Sequence, residues 1–234
     1  VEKLECNLIS PDIEEISKRF VEHNDGNRGV IFSNVVSFNY TNTYERVYFT
    51  NASVESNMDY IHGNADSDNS IETNNMVLGI DEYLSDDRKN KDVEFIAFKK
   101  FFQRIHKGTG CKYKEWVDKI IEDASHYEGA NKVVMQQVVS RTIDREGIKN
   151  KISKHIHYLY IFGHSLDVTD RDILRDLILN DNVYTTIYYL NKDAMGQQIA
   201  NLVKVIGQDE LIRRTGGSTK TIEFKLQQDM VERK

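Results

Sequence analysis

The sequence predicts an α/β protein of Rossmann type: a mostly parallel sheet with helices on both faces and a helical insertion. Three observations predict it. The last third alternates strand and helix, the pattern of βαβ units in a parallel sheet. Earlier, short β-rich runs end in polar residues or glycine, as strands do at a ligand-bearing edge. Between the two regions lies a helical stretch, about 92–147, with helical apolar spacing. The one proline, Pro11, leaves no proline-rich linker, so 1–234 is expected as a single domain with this helical segment.

Ser10-Pro11-Asp12 supplies an N-cap, a proline at the first helical position and an early acid, which opens a helix over 11–24. IFSNVVSFNY, 31–40, reads as a strand, and Thr41-Asn42-Thr43-Tyr44-Glu45 as a short helix start. MDYIHG, 58–63, reads as a second strand. Residues 64–75 form a polar loop, and MVLGI, 76–80, a third strand. Asp66, Asp68 and Ser70 lack the glycine and late glutamate of a calcium loop and read as a solvated turn.

Phe95, Phe98, Phe101, Phe102 and Ile105 form an aromatic stripe, taken as core. Trp116 to Ile121 mark a second helix of this segment and Val133 to Ile143 a third. The final third reads as strand 156–162, helix 169–180, strand 183–190, helix 194–206, a short helix 208–214 and a last strand 221–226.

Hydrophobic residues make up 39% of the 234 and charged residues 29%, enough apolar material for a real core. No apolar run approaches a membrane span, and no segment has signal-peptide character, so a cytoplasmic setting away from membranes is expected. Cys6 and Cys111 make neither a disulfide framework nor a metal site, so no metal is expected. With Val1 in first place, the chain is expected to be processed or truncated. The net charge of −6 argues against nucleic acid, although residues 86–119 carry ten Lys or Arg against six Asp or Glu. That local excess reads as a solvated helix face.

Chemistry concentrates at four strand ends. Residues 163–168, Gly-His-Ser-Leu-Asp-Val, follow an expected strand and precede a helix. They either connect the two elements or hold a ligand there. Gly163 permits close approach, Ser165 offers a hydroxyl, and Thr169 with Asp172 makes a capping pair. A helix N-terminus behind them suits a phosphate. Asn39 ends a second strand, His62 with Gly63 a third, and Asn191 a fourth. Each alone is an ordinary strand terminator or core histidine; together they favour a crevice.

"FNYTNTYE", "YIHG", "MVLGID", "YIFGHSLDVTDRDILRDLI" and "IYYLN", in this order, resemble the bacteriophage abortive-infection family AbiH, from about residue 31 to the C-terminal strand. That family in turn resembles the sirtuin-like NAD-binding fold. The resemblance implies that Asn39 and His62 are the catalytic pair, and that Gly163, Ser165 and Asn191 contact the cofactor. Asp167 is implied without a role: it caps the helix or faces the crevice. Thr41 replaces the acid of the sirtuin-like "N-x-D" element, and the sirtuin zinc cysteines are absent, so protein deacylation is not expected. The family's opening "GNGFD"-type glycine loop is missing too. The chain is therefore expected to be the later portion, its first βα unit gone, with weakened NAD binding.

Three functions follow as expectations. The first is an NAD glycohydrolase-like effector of phage defence, needing no metal. The second is a nucleotide or small-molecule sensor without turnover. The third is an interaction module in which 92–147 docks a protein partner or a second copy of the chain. Whether the protein is an enzyme stays open between them.

Overall fold

A computed structural model describes residues 8–22, 33–47, 56–79, 96–139 and 156–232. The first positions of the expected strand 31–40, the end of helix 11–24, Ile80, residues 92–95 with Phe95, and 140–147 with Ile143 lie outside them. The chain divides into two compact units. One comprises Val1–Tyr113 with Gln227–Lys234, the other Lys114–Leu226.

In the first unit, β1 (Leu8–Ile9) pairs antiparallel with β7 (Val231–Glu232), two short strands that carry no sequence signal. Helix α1 (Pro11–Glu22) follows, its first turn held by Ser10 Oγ accepting from Ile13 N–H at 3.4 Å. Asp12 is buried and accepts from both the backbone and side-chain amides of Gln228, at 2.8 and 3.0 Å. That contact joins the start of the unit to its end. The β-branched pair Val35-Val36 sits in β2 (Ser33–Ser37), which runs parallel to β3 (Ser56–Tyr60) with Ser37 opposite Tyr60. Helix α2 (Thr43–Val47) lies between them in sequence.

Two sequence expectations change here. Residues 76–79 form no strand; Val77 is instead buried, its N–H donating to the His62 carbonyl at 2.7 Å and its carbonyl accepting from the Tyr40 hydroxyl. The aromatic stripe is not simply core: Phe98 is 55% exposed and Ile105 72%, while Arg104 is buried. The helix α3 runs only from Lys100 to Lys107, after an extended Lys99, so Phe98 lies outside its helical phase. Gly108, at φ 62, closes it with N–H donation to the last carbonyls.

Helix α4 (Tyr113–Val139) is one continuous helix where two were expected. From Lys114 onward it belongs to the second unit, where the Asn182 amide donates to the Ile120 carbonyl and His157 stands 3.0 Å from Asp123. The sheet of this unit is β4 (His157–Ile161), β5 (Val183–Tyr189) and β6 (Ile222–Leu226), in that order and wholly parallel. Between β4 and β5 comes α5 (Arg171–Ile178); between β5 and β6 come α6 (Lys192–Ile206) and α7 (Gln208–Thr215).

Both crossovers advance in one direction, so right-handed connections put all three helices on one face. The core agrees: Leu159, Ile161, Ile187, Ile222 and Phe224 pack with Leu174, Ile178, Leu202, Val205 and Leu211. The alternate positions carry Tyr158, Tyr184 and Tyr188. The α/β, mostly parallel expectation holds, and it sets the carboxyl ends of β4 and β5 side by side.

Candidate functional site

In the first unit, Asn39 and His62 each lie two residues beyond the aligned pair Ser37–Tyr60, at the carboxyl ends of neighbouring parallel strands. They are not equivalent. Phe38 and Tyr40, on either side of Asn39, have rings 5.7 and 6.1 Å from the His62 ring, whereas Asn39 itself is exposed. The Asn39 backbone is turned by Ser37 Oγ, which accepts from its N–H at 3.3 Å.

His62 is only 6% exposed, and Lys100 Nζ stands 3.4 Å from its Nε2. An ammonium can only donate, so Nε2 is the acceptor in this contact. Gly63, at φ 77, is required next: a Cβ there would lie 2.2 Å from the Asn75 carbonyl oxygen. Around this junction, burial raises Asp59, which accepts from Tyr113 N–H at 2.8 Å, from its ordinary value. Burial, followed by the hydrogen bond to Glu45, raises the Tyr60 phenol.

In the second unit, the loop after β4 carries Gly163 and Ser165, and Asn191 lies two residues beyond β5. Gly163 adopts φ 62 with nothing within 4 Å of where a Cβ would point. Leu166, fully buried in the core, takes the left-handed φ of 58 that a leucine rarely adopts. His164 Nδ1 accepts from Leu166 N–H at 2.9 Å, and its Nε2 is 3.6 Å from Asp170 Oδ2.

The Asp167 carboxylate accepts from Thr169 N–H at 3.1 Å, so Asp167 caps the short 3-10 turn Val168–Asp170. This replaces the Thr169–Asp172 pair expected for that cap, because the 3-10 turn starts the helical segment two residues earlier. Asn191 is the N-cap of α6, its Oδ1 accepting from Ala194 N–H at 2.9 Å.

Three groups escaped the sequence reading. Gln198 Nε2 donates to the His164 and Tyr188 carbonyls at 3.1 and 3.2 Å, and Asn201 Nδ2 donates to the Ser165 carbonyl at 2.9 Å. Their spacing of three on α6 was the available signal, one helix face carrying two amides. Phe162 stacks on Tyr188 at 4.0 Å, with Lys225 Nζ 5.5 Å over the Tyr188 ring. That row needs the strand register to be seen. Lys100 was hidden inside a lysine-rich run.

Among the described residues no group of three or more His, Cys, Asp or Glu could hold a metal ion, and no helix is long and apolar enough to cross a membrane. No curated protein and no solved structure matches the chain. A model of the family described as bacteriophage abortive infection AbiH matches residues 7–190, well over half of the sequence, with Asn39, His62, Gly163 and Ser165 inside the match and Asn191 one residue beyond it. The chain therefore belongs to the bacteriophage abortive infection AbiH family, whose role is abortive infection in defence against phage.

Proposed function

We propose that this protein serves phage defence by recognising a nucleotide, NAD first among them, at the carboxyl ends of β4 and β5. The loop after β4 carries the reading. Its His164 and Ser165 carbonyls are occupied by α6 amides, while Gly163 and the Ser165 hydroxyl are exposed. A surface that offers N–H and O–H donors suits phosphate and ribose oxygens. The open space at Gly163 admits a ligand at backbone distance. Asn191 keeps its Nδ2 donor at the adjacent strand end while Oδ1 caps α6. The sirtuin-like resemblance assigns these same residues to an NAD-type ligand.

A hydrolytic reading concerns the first unit by itself: with NAD at the carboxyl ends of β2 and β3, water adds to the anomeric carbon of the nicotinamide ribose as the N-glycosidic bond breaks. Nicotinamide and ADP-ribose leave, and positive charge builds on the ribose in an oxocarbenium-like state. His62 takes the proton from the water and Asn39 orients it. Lys100 must then give up its contact with His62 Nε2, because that lone pair is the base.

A specific observation favours a second reading, a sensor that binds without turnover: His62 is buried and its Nε2 is already engaged. Incubation with NAD, with nicotinamide release followed for the parent and for His62→Ala, separates the two. Release that disappears in the variant supports hydrolysis. Saturable NAD binding without release supports the sensor, and neither binding nor release overturns the nucleotide reading.

A further inference from the structure

The loop 163–166 is a turn with too much to arrange for local sequence to do alone. Leu166 holds a left-handed φ of 58, a conformation that costs free energy in a residue with a Cβ. Its burial in the core retains it there. His164 Nδ1 then closes the turn by accepting from Leu166 N–H, and Asp167 caps the following 3-10 turn. These contacts fix the far half of the loop. The peptide plane between Ser165 and Leu166 is among the parts fixed, through its N–H, while the plane that carries the His164 carbonyl is held by none of them.

From α6, Gln198 holds the His164 carbonyl plane and Asn201 adds a second anchor to the Ser165–Leu166 plane. Gln198 and Asn201 are both buried, 6% and 4% exposed, and each aims an amide N–H at a loop carbonyl, at 3.1 and 2.9 Å. Gln198 spans further, taking the Tyr188 carbonyl of β5 at 3.2 Å with the same nitrogen. The Gln198 oxygen is buried without a hydrogen-bond partner, so its amide is oriented by the two carbonyls and by nothing else. The Asn201 oxygen accepts from Gln197 Nε2 at 3.0 Å, which fixes that amide too. With the His164 carbonyl drawn inward, the Ser165 N–H of the same trans peptide is turned the opposite way, and Gly163 and Ser165 lie on the exposed side of the loop.

We infer that Gln198 and Asn201 are positioning residues: they set the orientation of the 163–166 loop and, through it, the affinity for an anionic nucleotide. The inference rests on the nucleotide reading above for its second half and on the loop geometry alone for its first. A peptide plane released from α6 can turn a carbonyl outward, and a carbonyl facing a phosphate repels it.

The test uses the full chain, with backbone amide resonances of Gly163 and Ser165 recorded by NMR and ADP-ribose as the probe in calorimetry. Gln198→Glu and Asn201→Asp keep the shape and replace donors by acceptors. Gln198→Met serves where the carboxylate unfolds the protein. Val205→Ala, a core truncation on the same helix, is the comparator for a purely structural effect. Expected are displaced loop resonances in the ligand-free variants and a rise in Kd for ADP-ribose of about tenfold, with neither change in Val205→Ala. Unmoved resonances in the Gln198 and Asn201 variants overturn the inference, as do equal changes in Val205→Ala. A parent that does not bind ADP-ribose, while its loop resonances still move in the variants, sinks the nucleotide reading and the affinity half with it.

Discussion

Arg214 is 1% exposed yet permanently charged, and its surroundings explain how that is tolerated. Its guanidinium donates to Glu210 Oε1 at 2.6 Å, Asp181 Oδ1 at 2.8 Å, the Leu179 carbonyl at 2.6 Å and Thr221 Oγ1 at 3.1 Å. The planar fork ties the end of α5, the turn before β5, α7 and the start of β6 together. Arg214→Met is expected to lower the unfolding free energy by about 3 kcal/mol, because carbonyls and carboxylates lose a shared donor set. Arg214→Lys recovers little of it, since an ammonium cannot span the fork. Urea denaturation midpoints measure both. In the sequence, Arg213 and Arg214 look alike; only the fold buries the second. Gly163 offers a different contrast. Gly163→Ala meets no atom within 4 Å and is strained only by its φ of 62, so it costs about 1 kcal/mol of stability. If a nucleotide lies against that glycine, ADP-ribose affinity falls well beyond what the stability change accounts for. Unchanged affinity in a folded Gly163→Ala removes the close approach.

Among elements, those with local causes were legible and those with distant causes were not. β5 is rich in β-branched and aromatic residues, and α6 has Asn191 as a cap and Gly207 at φ 91 behind its last turn. Both appear where sequence reasoning expects them. Residues 76–79 look like a strand because they are apolar, but Val77 is buried by bonding across to the His62 junction rather than to a neighbouring strand. The aromatic run before Lys107 misleads for a related reason: helical phase counts only where the backbone is helical, and α3 starts at Lys100. The junction after β3 is crowded. Gly110, at φ 64, would place a Cβ 2.4 Å from the Ile61 carbonyl oxygen. Backbone atoms cannot yield as a side-chain tip can, so Gly110→Ala is expected to cost more than about 2 kcal/mol. Thermal unfolding of that variant should show a far larger shift than Gly163→Ala, and a matching shift would mean the junction relaxes.

At the scale of the whole molecule, stability should depend on acid in a way set by a few carboxylates. The hydrogen bond from Arg213, with that from Arg214, pulls Glu210 down to about 2 from an ordinary value near 4.5. The same arginines lower Asp181. A depressed folded value contributes stability above the unfolded value, lost as pH falls through the folded one. Glu210 therefore adds to stability above about pH 4.5 and stops doing so towards pH 2. Asp59 works in the opposite sense, since burial raises it and the folded state takes up its proton more readily. Thermal midpoints measured down that range should fall less steeply in Glu210→Gln than in the parent, and less again at high salt because these groups are partly solvated. Equal slopes would take Glu210 out of the acid response.

The sequence by itself determined the α/β class, the order of its main strands and helices, the family, and the loops where a ligand would be sought. These depend on local spacing, on turn and cap residues, and on motif order, all carried by neighbours along the chain. Only the tertiary structure decided that His62 sits buried against Lys100, that Asp167 and Asn191 are caps, and that Gln198 and Asn201 hold the loop after β4. Each of those is a contact between segments far apart in sequence or a hydrogen-bond direction. No periodicity encodes either, because what burial does to a polar group depends on which partner the fold brings to it.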